Sequence, residues 1–205
     1  MSSPPLRALA LVCSLTPSPA ASSSQLLAEQ LLLAQLAERD VPGSLVRVVD
    51  HDVKPGVAAD MGAGDGWPDI RRQVLAADVL VLATPTWMGH MSSVAQRVLE
   101  RLDAELSETD GDGRPGLFDK VAIGAVVGNE DGAHKVSADL FQALNDVGYT
   151  IPAQGVTYWN GEAMHSTDYR DLDETPEVTA STTAVAARNA AHLAAALRGR
   201  SYPAA

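Results

Sequence analysis

The stretch Ala77 to Ser93, ADVLVLATPTWMGHMSS, decides how this chain is read. Six of its first seven residues are apolar, the run stops at Thr84-Pro85, and an amphipathic helical pattern starts near Met91. A short continuous apolar run bounded by a turn signal marks a strand buried on both faces. The segment therefore reads as a strand, a tight loop and a helix. In an open α/β sheet such a loop lies at the carboxyl end of the strand, where ligands bind. Its residues, a Pro, an aromatic, a Met, a Gly and a His with no acid–base pair, suit contact with a flat, largely apolar ring. A core loop whose Trp and Met pack inward would use the same residues.

Working outward, strand and helix patterns alternate along the chain. Leu6 to Cys13 is a second continuous apolar run and reads as the first strand. Ser22 to Arg39 is helical, with Leu and Ala recurring every three or four positions and serines where an N-cap is wanted. Ser44 to Asp50 is the second strand, followed by a loop over His51 to Asp65 and a helix from Trp67-Pro68. Val79 to Ala83 is the third strand and Ser92 to Leu106 its helix. After a hydrophilic insert, Ser107 to Gly116, come strand four (Lys120 to Val127), a helix (Ala133 to Val147) and strand five (Tyr149 to Val156). Thr157 to Glu174 reads as irregular and polar, and Pro176 to Arg198 as an Ala-rich closing helix with Pro in its first turn. Strands alternating with helices predict a parallel sheet covered on both faces, with a crevice where strand order reverses. The loops after strands one and three flank that crevice.

Bulk properties exclude several function classes. The net charge of −11 argues against nucleic acid and anionic membranes, both of which call for clustered Lys and Arg. The single cysteine, Cys13, permits no intrachain disulfide and no Cys-based metal cage. No apolar run approaches the ~20 residues of a membrane span, and the N-terminus lacks signal-peptide features. The expectation is a cytoplasmic protein without membrane insertion.

Three loops carry the candidate chemistry. The first, Cys13 to Ser24, offers six hydroxyls and the free N–H groups of a helix N-terminus without one charged side chain. Such a loop holds a phosphomonoester by neutral donors, although an ordinary Ser-rich N-cap explains it equally. No GxxxxGK[ST] is present, so a nucleoside triphosphate does not fit. The second loop is Thr84 to Met91. The third, Gly128-Asn129-Glu130-Asp131-Gly132-Ala133-His134, has glycines that permit close backbone approach and an Asn able to pair with a heterocycle edge; a turn with an Asp N-cap would look the same. Together the three favour a nucleotide-like ligand with a phosphate at one end and a flat ring at the other.

Other motifs carry less. Gly111-Asp112-Gly113-Arg114-Pro115-Gly116 matches GxGxxG but precedes a strand instead of opening a helix, so the dinucleotide mechanism is absent. The five histidines show neither HxH nor HExxH spacing, which argues against a metal site, and no GxSxG elbow exists. Cys13 reads as a small apolar filler at the end of a strand.

The segment PTWMGHMSSVAQRVLERL, Pro85 to Leu102, together with the serines of the first loop, resembles the flavodoxin-like FMN-binding superfamily, in particular its NADPH-dependent FMN reductases and flavodoxin-family NAD(P)H oxidoreductases. The resemblance spans roughly Leu6 to Arg198. It implies a flavodoxin-like three-layer sandwich, a five-stranded parallel sheet of order 2-1-3-4-5 with helices on both faces. It also implies a single domain over 6–198, decorated at 157–175. By motif position, Ser14, Ser22, Ser23 and Ser24 would bind the FMN phosphate. Pro85, Thr86, Trp87, Met88, Gly89 and His90 would flank the ring, and Gly128, Asn129 and Gly132 would meet it from the other side. Leu15-Thr16-Pro17 stands where many of these reductases carry an Arg or Lys.

The activity so implied passes hydride from NAD(P)H through FMN to a small acceptor such as a quinone or free flavin, with His90 or His134 as a hydrogen-bond donor to the acceptor. Two other classes remain open: a flavodoxin-type electron carrier, and a flavin-free interaction module of the same fold. By analogy a homodimer or higher homo-oligomer is expected, with Trp159 closing the neighbouring subunit's pocket.

Overall fold

A computed structural model describes residues 4–111 and 113–203 of the chain. Asp112, within the expected insert and its GxGxxG match, lies outside the described residues. Strands β1 (Ala8–Val12), β2 (Gly43–Arg47), β3 (Val79–Trp87), β5 (Val121–Gly128) and β6 (Val156–Asn160) form one parallel sheet in the order β2-β1-β3-β5-β6. The two-residue β4 (His90–Met91) folds back antiparallel on the end of β3. With β4 set aside, this is the expected order and the flavodoxin-like architecture.

The sheet's residues alternate between two cores because successive side chains of a strand point to opposite faces. Leu9, Leu11, Leu80, Leu82, Ala122 and Val126 pack beneath α2 (Trp67–Ala76), α3 (Ser93–Leu102) and α4 (Ala133–Asp146). Ala8, Ala10, Val12, Val79, Val81, Ile123 and Ala125 face α1 (Ser23–Glu29) and α5 (Glu177–Gly199). Small residues on the second face, with Ala186, Ala187, Ala190 and Ala194 of α5 opposite them, let that helix lie close to the sheet. The Ala-rich composition of α5 is thus a packing requirement. The central strands β1, β3 and β5 are buried almost throughout, and truncating one of their large side chains, such as Leu82→Ala, costs about 2–5 kcal/mol.

Several boundaries differ from the sequence expectation. The fifth parallel strand is Val156–Asn160, not Tyr149 to Val156. Thr150 forms only an isolated bridge with Val121. Pro152 then offers no N–H, and Gln154 at φ 58 turns the chain before Val156. The polar Thr157 was hard to read as core, yet its hydroxyl is buried among Thr179, Thr182 and Thr183 of α5. Strand β3 continues through Thr84–Trp87, expected to be loop. The hairpin to β4 turns at Met88 (φ 51) and Gly89 (φ 72), the two positive φ values that match a two-residue hairpin to the strand twist. The second strand stops at Arg47, before a 3₁₀ turn over Val48–Asp50. Helix α1 passes at Gln30 into a π-helical stretch, Gln30–Leu36, and ends in a 3₁₀ turn, Ala37–Arg39. Helix α3 likewise ends at Leu102 in a 3₁₀ turn, Asp103–Leu106. No helix among the described residues is long and apolar enough to cross a membrane.

Candidate functional site

From β1 the chain turns outward to β2, whereas β3 lies on β1's other side. The loops following β1 and β3 therefore diverge and open a crevice. A cavity of about 250 Å³ occupies it. Its wall combines Ser14, Leu15, Thr16 and Ala21–Ser24 from the first loop, Pro85–Trp87 from β3, and Val127–Asn129 from β5. Trp159 of β6 and Asp168–Arg170 complete it. Of the residues proposed from sequence, Ser14, Ser22, Ser23, Ser24, Pro85, Thr86, Trp87, Gly128 and Asn129 line this one cavity. Met88, Gly89, His90 and Gly132 belong to the hairpin and the facing loop just beyond the wall.

Hydrogen bonds fasten the three loops to each other. Ser92, the N-cap of α3, accepts from Ala95 N at 3.1 Å and donates to Cys13 O at 2.6 Å, while its own N–H donates to Thr84 Oγ1 at 3.1 Å. One serine thereby ties the ends of β1 and β3 to the start of α3. Opposite, Met88 N donates to the Glu130 carboxylate, holding the hairpin to the third loop. Those two loops touch so closely that a Cβ on Gly132, itself at φ +129, would stand 2.8 Å from Gly89 Cα. A Cβ on Gly128 would stand 2.8 Å from Thr86 Cβ.

Ser22 and Ser23 use their oxygens as acceptors and keep their protons to give, whereas Ser14 already donates its proton to Thr16 O. Ser22 Oγ accepts from Gln25 N at 3.3 Å as the N-cap of α1, and Ser23 Oγ accepts from Arg170 N at 3.3 Å. Ser14 Oγ is engaged with Thr16 O at 3.0 Å. Beneath the loop lies Arg47, 6% exposed, donating to Gln25 Oε1, to Ala20 O at 2.7 Å and to Thr16 O at 3.3 Å. Thr86 lines the cavity, and its Oγ1 is buried with no hydrogen-bond partner among the described residues. A buried hydroxyl left unpaired costs about 1–3 kcal/mol, so a ligand group that pairs with it gains that much in return.

The remaining proposed groups fall outside the wall. His90 Nδ1 lies 3.2 Å from Lys135 Nζ, and His134 Nε2 lies 3.0 Å from Tyr158 OH. Burial pushes the Cys13 thiol far above its ordinary range, which leaves no thiolate for chemistry at neutral pH.

Sequence reasoning missed Arg47 and the group Asp168, Tyr169 and Arg170. Arg47 is a strand-end residue with no motif around it. The signal for the other group was available: Arg170 is the sole Lys or Arg within 157–175, set among acids and next to an aromatic. Trp159 lines the cavity of its own chain, with its ring centroid 5.7 Å from that of Tyr169.

Known proteins share the sequence pattern and the fold of this chain. A family model described as NADPH-dependent FMN reductase matches residues 6–163. The chain is 38% identical over 170 residues to the divalent metal cation transporter MntH of Mycobacterium bovis, covering 81% of this chain and 25% of that protein. It is 35% identical over 169 residues to 8-demethyl-8-aminoriboflavin-5'-phosphate synthase of Streptomyces davaonensis, covering 77% and 65%. It thus spans a quarter of one curated relative and just under two thirds of the other. The crystal structure of RosB with bound 8-demethyl-8-formylriboflavin-5'-phosphate superposes with a TM-score of 0.87 at 29% identity, over 96% of this chain and 82% of that one. An NADH:FMN oxidoreductase in its apo form gives 0.64 at 21% identity over 93% and 89%, a likeness of fold.

Proposed function

The chain belongs to the NADPH-dependent FMN reductase family, and from that premise we propose that it is an NAD(P)H oxidoreductase passing reducing equivalents through FMN to a small acceptor, such as a quinone or free flavin. The observation that carries the reading is one cavity whose wall combines hydroxyls and a cation, Ser22–Ser24 and Arg170, with the aromatic Trp87, Trp159 and Tyr169. The residues present fit the flavin. The unpaired Thr86 hydroxyl suits a heteroatom at the ring edge, and Ser22 and Ser23, whose oxygens accept and whose protons stay uncommitted, suit a terminal phosphate.

In this reading Ser14, Ser22, Ser23 and Ser24 hold the phosphate. Pro85, Thr86, Trp87, Met88, Gly89 and His90 flank the ring, and Gly128, Asn129 and Gly132 close on it from the β5 side. Bound FMN supplies hydride acceptance and transfer, which no side-chain pair of this site supplies. The chain's part is orientation and shielding. The hairpin backbone at Trp87–Gly89 would flank the ring, and Trp159 with Tyr169 would shield it from water. His90 and His134, at the rim, donate to the arriving acceptor. The exposed Trp87 and Met88 and the fully exposed Met164 support self-association at the mouth.

The test is a visible spectrum after FMN loading and desalting, followed by anaerobic mixing with NADH or NADPH. Retained flavin bands bleached by a nicotinamide support the enzyme. Retained bands that no nicotinamide bleaches indicate the electron carrier, and a colourless protein indicates the flavin-free module.

A second reading has its own support: flavin 5'-phosphate as substrate. The TM-score of 0.87 to RosB, against 0.64 to the NADH:FMN oxidoreductase, favours it. Mass spectrometry of the flavin after turnover distinguishes the two, since a cofactor returns unchanged.

A further inference from the structure

We propose that Arg170, delivered from the segment after β6, is the cation that makes this site select a flavin 5'-phosphate over the unphosphorylated flavin; the inference rests on the flavin reading above. The loop from Cys13 to Ser24 contains no charged side chain, so neutral donors alone face a dianion there. Arg170 lines the same cavity. Its backbone N–H donates to Ser23 Oγ at 3.3 Å, and its Nη1 donates to Ala21 O at 2.7 Å. The guanidinium is thereby held beside the three serines by the loop itself.

The segment carrying it is anchored. Tyr169 is 2% exposed, and its hydroxyl reaches Gln30 Oε1 and lies 3.3 Å from Thr175 Oγ1. Asp168 and Asp171 cap the turn reciprocally. A residue adjacent to so buried an anchor is positioned before any ligand arrives.

The charges around Arg170 give it a role that a lone surface cation lacks. Asp168 lies 3.3 Å and Asp171 3.8 Å from the guanidinium, and Asp168 itself lines the cavity. Without Arg170, an arriving phosphate meets a carboxylate. With it, that carboxylate is paired with a guanidinium whose five N–H donors exceed those spent on Ala21 and the two acids, leaving donors for phosphate oxygens. Arg47 adds to the field from behind. It is buried, its nitrogens rest on neutral oxygens, and among the described residues no carboxylate comes within 4.0 Å of it. Its charge is shared with Asp50, whose carboxylate accepts from Ser18 N of the same loop at 2.8 Å and is held below its ordinary range first by that Ser18 contact and further by Arg47.

The experiment titrates wild type, Arg170→Gln and Arg170→Lys with FMN and with riboflavin, by flavin fluorescence, at low and high salt. Arg170→Gln weakens FMN about tenfold, the size of a charge-assisted hydrogen bond on a partly exposed group, and leaves riboflavin unchanged. Arg170→Lys recovers part of the loss, and the FMN preference of wild type shrinks at high salt. Equal weakening of both flavins in Arg170→Gln makes Arg170 a mere prop of the loop and overturns the proposal, as does unchanged FMN binding. A folded wild type that binds neither flavin overturns the underlying flavin reading instead.

Discussion

Replacing Asp65 by Asn should unfold this protein far more readily than its place in a loop suggests. Arg101 of α3 and Asp65 form an ion pair at 2.8 Å in which both side chains are 0% exposed. The guanidinium also donates to Lys54 O at 2.9 Å and to Ala58 O at 2.8 and 3.1 Å, and its carbon lies 5.6 Å from the Trp67 ring centroid. The carboxylate in turn accepts from Met61 N at 2.9 Å, Trp67 N at 3.1 Å and Lys54 N at 3.2 Å. An Asn amide offers one acceptor where this network uses two, and its NH₂ faces donors. Removing one partner of a buried pair costs about 3–5 kcal/mol, mostly from the charge left behind. The loop is a thin layer, so the lower end, about 3 kcal/mol, is the expected loss. For a domain of this size that lowers Tm by roughly 6–12 °C.

Acidity provides the control. Burial raises the Asp65 pKa, but the Arg101 hydrogen bond and the three backbone N–H groups outweigh it and hold the carboxyl well below the usual carboxylate range. A depressed native pKa contributes stability that is complete above the unfolded value of about 3.9 and is lost as pH falls below it. The gap between wild type and Asp65→Asn in urea unfolding should therefore narrow between about pH 4 and pH 2. Asp65→Leu combined with Arg101→Met should cost less than either change alone. A single-mutant loss under about 1 kcal/mol at neutral pH, the range of an exposed pair, would refute the reasoning.

Other expectations concern the cavity. Thr86→Val removes the unpaired buried hydroxyl without changing shape, so it should leave stability unchanged or raise it by about 1 kcal/mol while weakening FMN about tenfold. Thermal melts with flavin titration read both signs, and a loss of stability shows that the hydroxyl has a protein partner. Gly132→Ala places a Cβ 2.8 Å from backbone at Gly89 and demands φ +129 of a residue with a side chain, so the hairpin must shift and FMN retention after desalting should fall. An unaltered spectrum for that variant refutes the close-approach argument. Trp159→Ala should weaken FMN with sedimentation mass unchanged, because the ring packs on Tyr169 within its own chain. A change of mass supports a cross-subunit role instead.

The parts of the fold legible in sequence are those that local patterning dictates. The apolar runs that became β1, β3 and β5 are buried on both faces, which is what an unbroken run of Val, Leu and Ala announces. The edge strand β6 was displaced because one of its faces meets threonines of α5 through hydroxyl contacts, a polar core that periodicity reads as loop. In the site, the first loop, Pro85–Trp87 and Gly128-Asn129 were legible since each immediately follows or ends a readable strand. Arg47 was not, and for Arg170 the isolated charge was legible but its destination was not. A cation's meaning depends on what lies across from it, and Arg170 reaches Ala21 across 149 positions of chain.

That distance bears on how this site is completed. The family model's match ends at residue 163, before Tyr169 and Arg170, whereas the RosB structure covers 96% of the chain. The shared part supplies the serines, the hairpin and the glycine-bearing third loop. Trp159 falls within that match, whereas the wall contributed by Asp168, Tyr169 and Arg170 comes from residues beyond it. Tyr169 is buried against Gln30, the residue at which α1 turns π-helical, so docking of the segment and the shape of the first helix are mechanically linked. A π-helical turn persists where something else compensates for its poorer hydrogen bonding, and the Gln30 side chain, bonded to both Tyr169 and Thr175, supplies that compensation. The charge missing from the first loop is restored by the same docking. Loop, helix irregularity and late arginine are therefore joined in one hydrogen-bonded wall, with Tyr169 on Gln30 and Arg170 on Ala21 and Ser23.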